Sequence, residues 1–155
     1  MIYPHPCFVE QVERLHAQVK RDEQKDPKNY ISKAPAKTLK AIHEIALSRI
    51  PDDPTNKRYR LGFALGDDYK HWSRDKFGNG RFRLFFRCDS DAKVILYIWV
   101  NDENSKRTYG SKTDAYAVFR KMLESGNPPD SWEELVEACK DPTLLARLKK
   151  IFGIG

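Results

Sequence analysis

The stretch WSRDKFGNGRFRLFFR, residues 72–87, constrains the fold more than any other part of the chain. Asn79-Gly80 is the dipeptide favoured in a two-residue hairpin turn, where both central residues take positive φ. The flanking aromatic-rich runs then read as strands over 72–77 and 81–88. Such a turn sets Lys76 opposite Arg83, Arg74 opposite Phe85 and Trp72 opposite Arg87. One face of the hairpin carries Trp72, Arg74, Lys76, Arg81, Arg83, Phe85 and Arg87. The other carries Ser73, Asp75, Phe77, Phe82, Leu84, Phe86 and Cys88, and is mostly core. Like charges directly opposite each other destabilise a strand pair by up to about 1 kcal/mol, so the first face needs a countercharge or water. Phosphate supplies one, because the arginine fork grips its oxygens in pairs, and Trp72 and Phe85 between the cations are suited to stacking on bases. A wet face relieved by acidic residues from elsewhere is the other solution. A one-residue slip of the turn would disperse the cluster.

A third strand is expected over 93–100, KVILYIWV, central because it is apolar on both sides. DSDA at 89–92 supplies the turn before it, so the sheet reads as an antiparallel meander. Its far end delivers NDENSKRTYG, which would stand Glu103, Arg107 and Tyr109 near the basic face; the plainer alternative is that Asn101 to Asn104 merely form a turn. Upstream, Phe8, Val12, Leu15 and Val19 recur at helical spacing and predict a helix from about 7 to 25. Leu39, Ile42, Ala46 and Ile50 predict a second helix that stops before Pro51. Residues 51–70 read as a connection with one short strand near Tyr59 to Phe63. Downstream, Ser111 or Thr113 is placed to cap a helix that buries Ala115, Val118, Phe119 and Met122 or Leu123, and Asn127-Pro128-Pro129 ends it. Ser131 and Glu134 have capping-box spacing, and Pro142 follows Asp141 at the start of a last helix. Leu144, Leu148, Ile151 and Phe152 form a stripe there that reads as core packing.

The predicted elements make a single α+β domain across residues 1–155. The net charge of +6 makes a polyanionic partner plausible without requiring one. No basic region followed by an apolar run opens the chain, and no apolar stretch reaches membrane-spanning length. Cys7, Cys88 and Cys139 lack metal-site spacing and form no disulfide framework. A cytoplasmic protein is expected, with neither metal nor cofactor.

Several strings together resemble a known family: HPCF at 5–8, DPKNY at 26–30, the hairpin itself, WVNDENSKRTYGSKTDAYAVFRKML at 99–123 and NPPDSW at 127–132. They resemble the YhaV toxins of bacterial toxin–antitoxin modules, over about residues 5–132. The tail beyond 132 finds no counterpart. The resemblance implies a RelE-like fold, with N-terminal helices packed on a small antiparallel sheet and C-terminal helices after it. It also implies an endoribonuclease that cuts messenger RNA in connection with the ribosome and is held inactive by a PrlF-type antitoxin with an AbrB-like DNA-binding part. Operator DNA would then be reached only through the complex with that antitoxin. On the superfamily's pattern, Arg74 and Lys76 take the places of two strand cations and Arg83 that of an arginine in the next strand. Arg107 and Tyr109 stand for a later arginine and aromatic.

Metal-free RNA cleavage needs a base for the ribose 2′-hydroxyl, cations for the developing phosphorane and an acid for the leaving oxygen. Arg83 and Arg81 are the expected phosphate clamp and Lys76 or Glu103 the base, while Tyr109 stacks on a base or acts in proton transfer and Arg107 binds a neighbouring phosphate or protonates the leaving group. Trp72, Phe85 and Arg87 are expected to contact RNA. None of His5, His16, His43 or His71 falls on the basic face, since alternation sets His71 with Ser73 on the other side. A non-catalytic module that grips RNA or the ribosome through the same face is the alternative. Gyrase poisoning is a third reading, disfavoured by the family-specific strings.

Overall fold

In the computed structural model of the chain, residues 1–91, 93–103 and 114–153 are described. The sheet has four strands in the order β1-β4-β3-β2: β1 (Ile2–Pro4), β2 (Ser73–Phe77), β3 (Phe82–Asp89) and β4 (Val94–Val100). The hairpin register is the expected one: Lys76 pairs with Arg83, Arg74 with Phe85 and Phe77 with Phe82. Asn79 and Gly80 both have positive φ, at 59° and 78°, and the Arg81 amide donates to the Gly78 carbonyl, closing the tight turn. The alternation of β3 is broken once, by an irregularity between Phe85 and Phe86 where it pairs with β4.

The sheet is mixed rather than a pure antiparallel meander. Strand β1 runs parallel to β4, Tyr3 facing Leu96. Three residues ahead of a helix are too short for any period to show in sequence.

Helix α1 (Pro6–Lys25) starts at Pro6, and the His5 ring nitrogen Nδ1 accepts from the Cys7 amide as its cap. Helix α2 (Ala34–Glu44) does not stop before Pro51. It runs on through a π-helical turn, Ile45–Arg49, and a last turn, Ile50–Asp52. A wider turn ahead of the proline accommodates a residue with no amide to donate. No strand forms at 59–63. A single 3₁₀ turn, Lys57–Tyr59, is followed by one isolated bridge from Arg60 to Ser73, which closes the start of β2.

Helix α3 (Ala115–Ser125) is capped by the Asp114 carboxylate accepting from the Tyr116 amide, while Ser111 and Thr113 lie outside the described residues. Ser131 caps α4 (Trp132–Cys139) and Asp141 caps α5 (Pro142–Phe152), each as expected from sequence.

The two faces of the sheet carry separate cores. Phe77, Phe82, Leu84, Phe86 and Tyr97 pack under α1, α2 and α5. Trp72, Phe85, Ile98 and Trp99 pack under α3 and α4, against Phe119, Leu123 and Leu135. The second core corrects the expectation of an open basic face. Phe119 lies stacked on Phe85, centroids 4.2 Å apart, and meets Trp72 edge-on at 5.1 Å. Trp72 and Phe85 are therefore core residues with almost no exposed surface, closed off from stacking on RNA bases. Burial of this size, with aromatic pairs each adding about 0.5–1.5 kcal/mol, holds α3 onto a face that alternation alone would leave to solvent.

Candidate active site

The cations of the hairpin separate by depth. Lys76 and Arg81 are exposed, Arg87 is half-buried, and Arg74 and Arg83 are buried. Arg83 has no exposed surface at all. Its Nη1 donates to the Gly80 carbonyl at 2.6 Å, and its guanidinium carbon lies 5.0 Å from the centre of the Tyr116 ring. Its Nε and Nη2 meet no acceptor, and none of the ion pairs among the described residues includes it. A buried cation without a countercharge is costly, and natural structures seldom keep one without a use for it.

Arg74 completes the arrangement. Its Nε donates to the Tyr116 hydroxyl at 3.0 Å, while Nη1 donates to the carbonyls of Arg58 and Arg60, both at 3.0 Å. The phenol thus stands between two guanidiniums. Burial opposes its ionisation, but Arg74 and Arg83 together outweigh burial and hold its pKa below the ordinary tyrosine value. Tyr116 was not among the residues picked out from sequence. It sits three residues before Phe119 in the first turn of α3, and only the pairing of α3 with this sheet face brings it to the hairpin.

Asn101 fixes the strand that carries Arg83. Beyond the end of β4, its Oδ1 accepts from the Arg83 amide at 2.6 Å and its Nδ2 donates to the Arg81 carbonyl at 3.0 Å. The side chain thereby replaces a ladder partner that β4 no longer supplies.

Arg87 is placed elsewhere. It lies between the rings of Trp72 and Trp132, 5.4 and 5.5 Å from their centres, and donates to the Asp130 carbonyl. The Asp130 carboxylate accepts from Trp72 Nε1 and contacts His71 Nε2, both at 2.7 Å. His71 therefore reaches the side of the sheet covered by α4, not the face assigned to it by alternation, because the strand begins only at Ser73. Arg87 and Trp72 bind the loop before α4 to the sheet, which is a structural clamp. Glu103 is exposed, two residues beyond Asn101. Arg107 and Tyr109 lie outside the described residues.

The structure thus joins Arg74 and Arg83 as expected, adds Tyr116 between them, leaves Lys76 and Arg81 exposed on the same hairpin, and sets Trp72, Phe85 and Arg87 apart as packing. Paired guanidiniums with a polarised phenol are suited to binding an anion and to moving a proton beside it. A toxin family with endonuclease activity, belonging to toxin–antitoxin systems, has a model that matches residues 2–140. The chain belongs to the YhaV toxin family. The ribonuclease toxin YhaV of Escherichia coli K12 is 48% identical over 141 residues, spanning 90% of this chain and 92% of that protein. The toxin YhaV of E. coli O6:H1 is 48% identical over the same shares. No solved structure matches the chain. Among the described residues, no helix is long and apolar enough to cross a membrane. As a YhaV-family toxin the chain has an antitoxin as its partner and a nucleic-acid backbone as its substrate, and helix α5 lies beyond the span matched by the family.

Proposed function

We propose that this chain is a metal-independent endoribonuclease that cuts messenger RNA in association with the ribosome, in the cytoplasm, as one domain across residues 1–155. A PrlF-type antitoxin with an AbrB-like DNA-binding part neutralises it, and operator DNA is reached only through that complex. The name of the K12 relative, a ribonuclease toxin, supports RNA as the substrate.

The observation that carries the reading is Arg83, a buried guanidinium with two donors lacking acceptors, one ring away from a phenol polarised by Arg74. A scissile phosphate supplies what those donors lack. The developing phosphorane carries more negative charge than the ground state, so a cation already desolvated and aimed stabilises it preferentially. Because Arg83 is closed to bulk solvent, the phosphate reaches it only with a rearrangement at this end of the sheet. The exposed Lys76 and Arg81 take the incoming backbone.

The 2′-hydroxyl attacks phosphorus and its proton passes to a base, for which Lys76 and Glu103 remain the candidates on position. Tyr116 or Arg107 protonates the departing 5′-oxygen, and Tyr109 stacks on a base. The products are a 2′,3′-cyclic phosphate and a 5′-hydroxyl end. Two experiments on purified protein decide the matter. RNA ends mapped after incubation should carry 5′-hydroxyls, and Arg83→Ala, shown folded by circular dichroism, should lose them. If the folded variant cuts as wild type, the proposed centre is wrong. If wild type binds RNA but yields no such ends, the non-catalytic binding module takes its place.

A further inference from the structure

A cavity of about 630 Å³ opens on the sheet face opposite Arg83 and Tyr116. Its wall includes Leu47 and Pro51 from the end of α2, Val94 from β4, and Leu145, Leu148 and Phe152 from α5. Its size falls in the range of about 300–1,000 Å³ that accommodates a ligand or a row of anchoring side chains. A surface this apolar on a chain that is otherwise 32% charged marks an interaction site.

We infer that this groove docks an amphipathic helix of the antitoxin, with apolar side chains in the groove and acidic ones at its mouth. The inference takes from the preceding section only that an antitoxin exists; it does not depend on the catalytic reading. Three observations fix the occupant. The groove adjoins β1, an edge strand of only three residues, which offers an added strand little ladder to pair with. The Ile95 amide donates to Met1 O and the His5 amide to Tyr97 O, so alternation turns Ile2 and Pro4 outward, and Pro4 has no amide to offer. The partner's element is thus a helix laid in a groove.

Among the described residues, the charged groups lining the groove are Lys93, Lys149 and the Met1 ammonium against the Asp89 carboxylate, and the whole chain carries +6, so an acidic partner is attracted and a second copy repelled. Finally, the far wall is α5, which lies outside the family match at residues 2–140. A wall outside the family match is where an antitoxin of this chain would be told from that of a relative.

The test measures binding of the cognate antitoxin to the full chain by calorimetry, without RNA, beside RNA cleavage by the same samples. Leu145 is half-buried, so Leu145→Asp should fold, weaken antitoxin binding about 100-fold or more and leave cleavage unchanged. Lys149→Glu should weaken binding about tenfold, with less loss at high salt. Amide exchange on the wild-type complex should show new protection over residues 46–55, 88–95 and 142–152. Wild-type binding by both variants, or protection confined to the β2–β3 turn and α3, would overturn the proposal. So would protection of the same residues in the toxin alone with the mass of a dimer. A wild-type chain that binds antitoxin but cuts no RNA would sink the ribonuclease reading and leave this one standing.

Discussion

Strands β2 and β3 each bury a charge, Asp75 and Arg83, on opposite faces of the sheet. The carboxylate of Asp75 accepts from both Nε and Nη2 of Arg49, which anchors the end of the α2 helix to the sheet. Among the described residues, Arg83 has one backbone acceptor for its five donor hydrogens and no carboxylate partner. Neighbouring buried charges in one hairpin have thus been treated in opposite ways. A satisfied charge specifies structure. An unsatisfied one costs stability, and such conflicts between local rule and fold concentrate where a protein acts.

The sharpest break of the comparison is Arg83→Met, which keeps the volume and removes the charge. Cleavage should fall about 10²–10³-fold, as for loss of one preorganised donor to a developing oxyanion. Stability in urea should hold or rise, since replacing an unpaired buried charge by a packed apolar side chain removes the desolvation cost. A protein that unfolds more easily would show that Arg83 is structural like Asp75.

Tyr116→Phe comes next, with an expected loss of about 100-fold in kcat, little change in KM, and a stability loss of about 1–3 kcal/mol because Arg74 Nε loses its acceptor. If the phenol donates the proton, wild-type activity declines as pH rises through its lowered pKa, since the deprotonated form has nothing to give. The variant should lose that alkaline limb along with its rate. A limb that persists in Tyr116→Phe assigns the acid to another group.

Asp75→Asn reverses the pattern. Arg49 is 42% exposed, which screens the pair, so the loss is about 2 kcal/mol rather than the larger figure for a fully buried bridge. Cleavage by the folded fraction should remain. Chemical denaturation beside single-turnover cleavage separates the two quantities.

Much of this contrast was readable in the residues. Asn79-Gly80 dictates positive φ at two successive positions, and that alone put Lys76 opposite Arg83 and Arg74 opposite Phe85. The solvent on the basic face was not readable. Phe119 and its stripe announce a helix with a buried side, but nothing local says which face of which sheet it covers. The same gap hid Tyr116, whose partners lie in β2 and β3, more than thirty positions upstream of it in the sequence. Strand β1 escaped for want of length, and the extension of α2 past Pro51 because a π-helical turn leaves no mark on hydrophobic spacing. Local chemistry fixes register; long-range packing decides what is wet.

His5 offers the gentlest test of how completely the face opposite Arg83 satisfies its polar groups. It is nearly fully buried, its amide bonded to Tyr97 O and its Nδ1 accepting from the Cys7 amide at the start of α1. An accepting nitrogen must stay unprotonated, and burial lowers the pKa to about 4 from the ordinary 6.5. A depressed folded-state pKa means that the contribution is fully present above 6.5 and is lost as pH falls toward 4, because the unfolded chain takes up the proton first. At pH 5 the loss should be about 1–2 kcal/mol, visible as a lower urea midpoint with an unchanged slope. His5→Asn keeps a cap without a titrating ring, so its stability should be flat between pH 7 and 5. A wild-type profile equally flat would mean that the ring turns out to water when charged, and the polar groups of this face would then be less tightly held than those around Asp75.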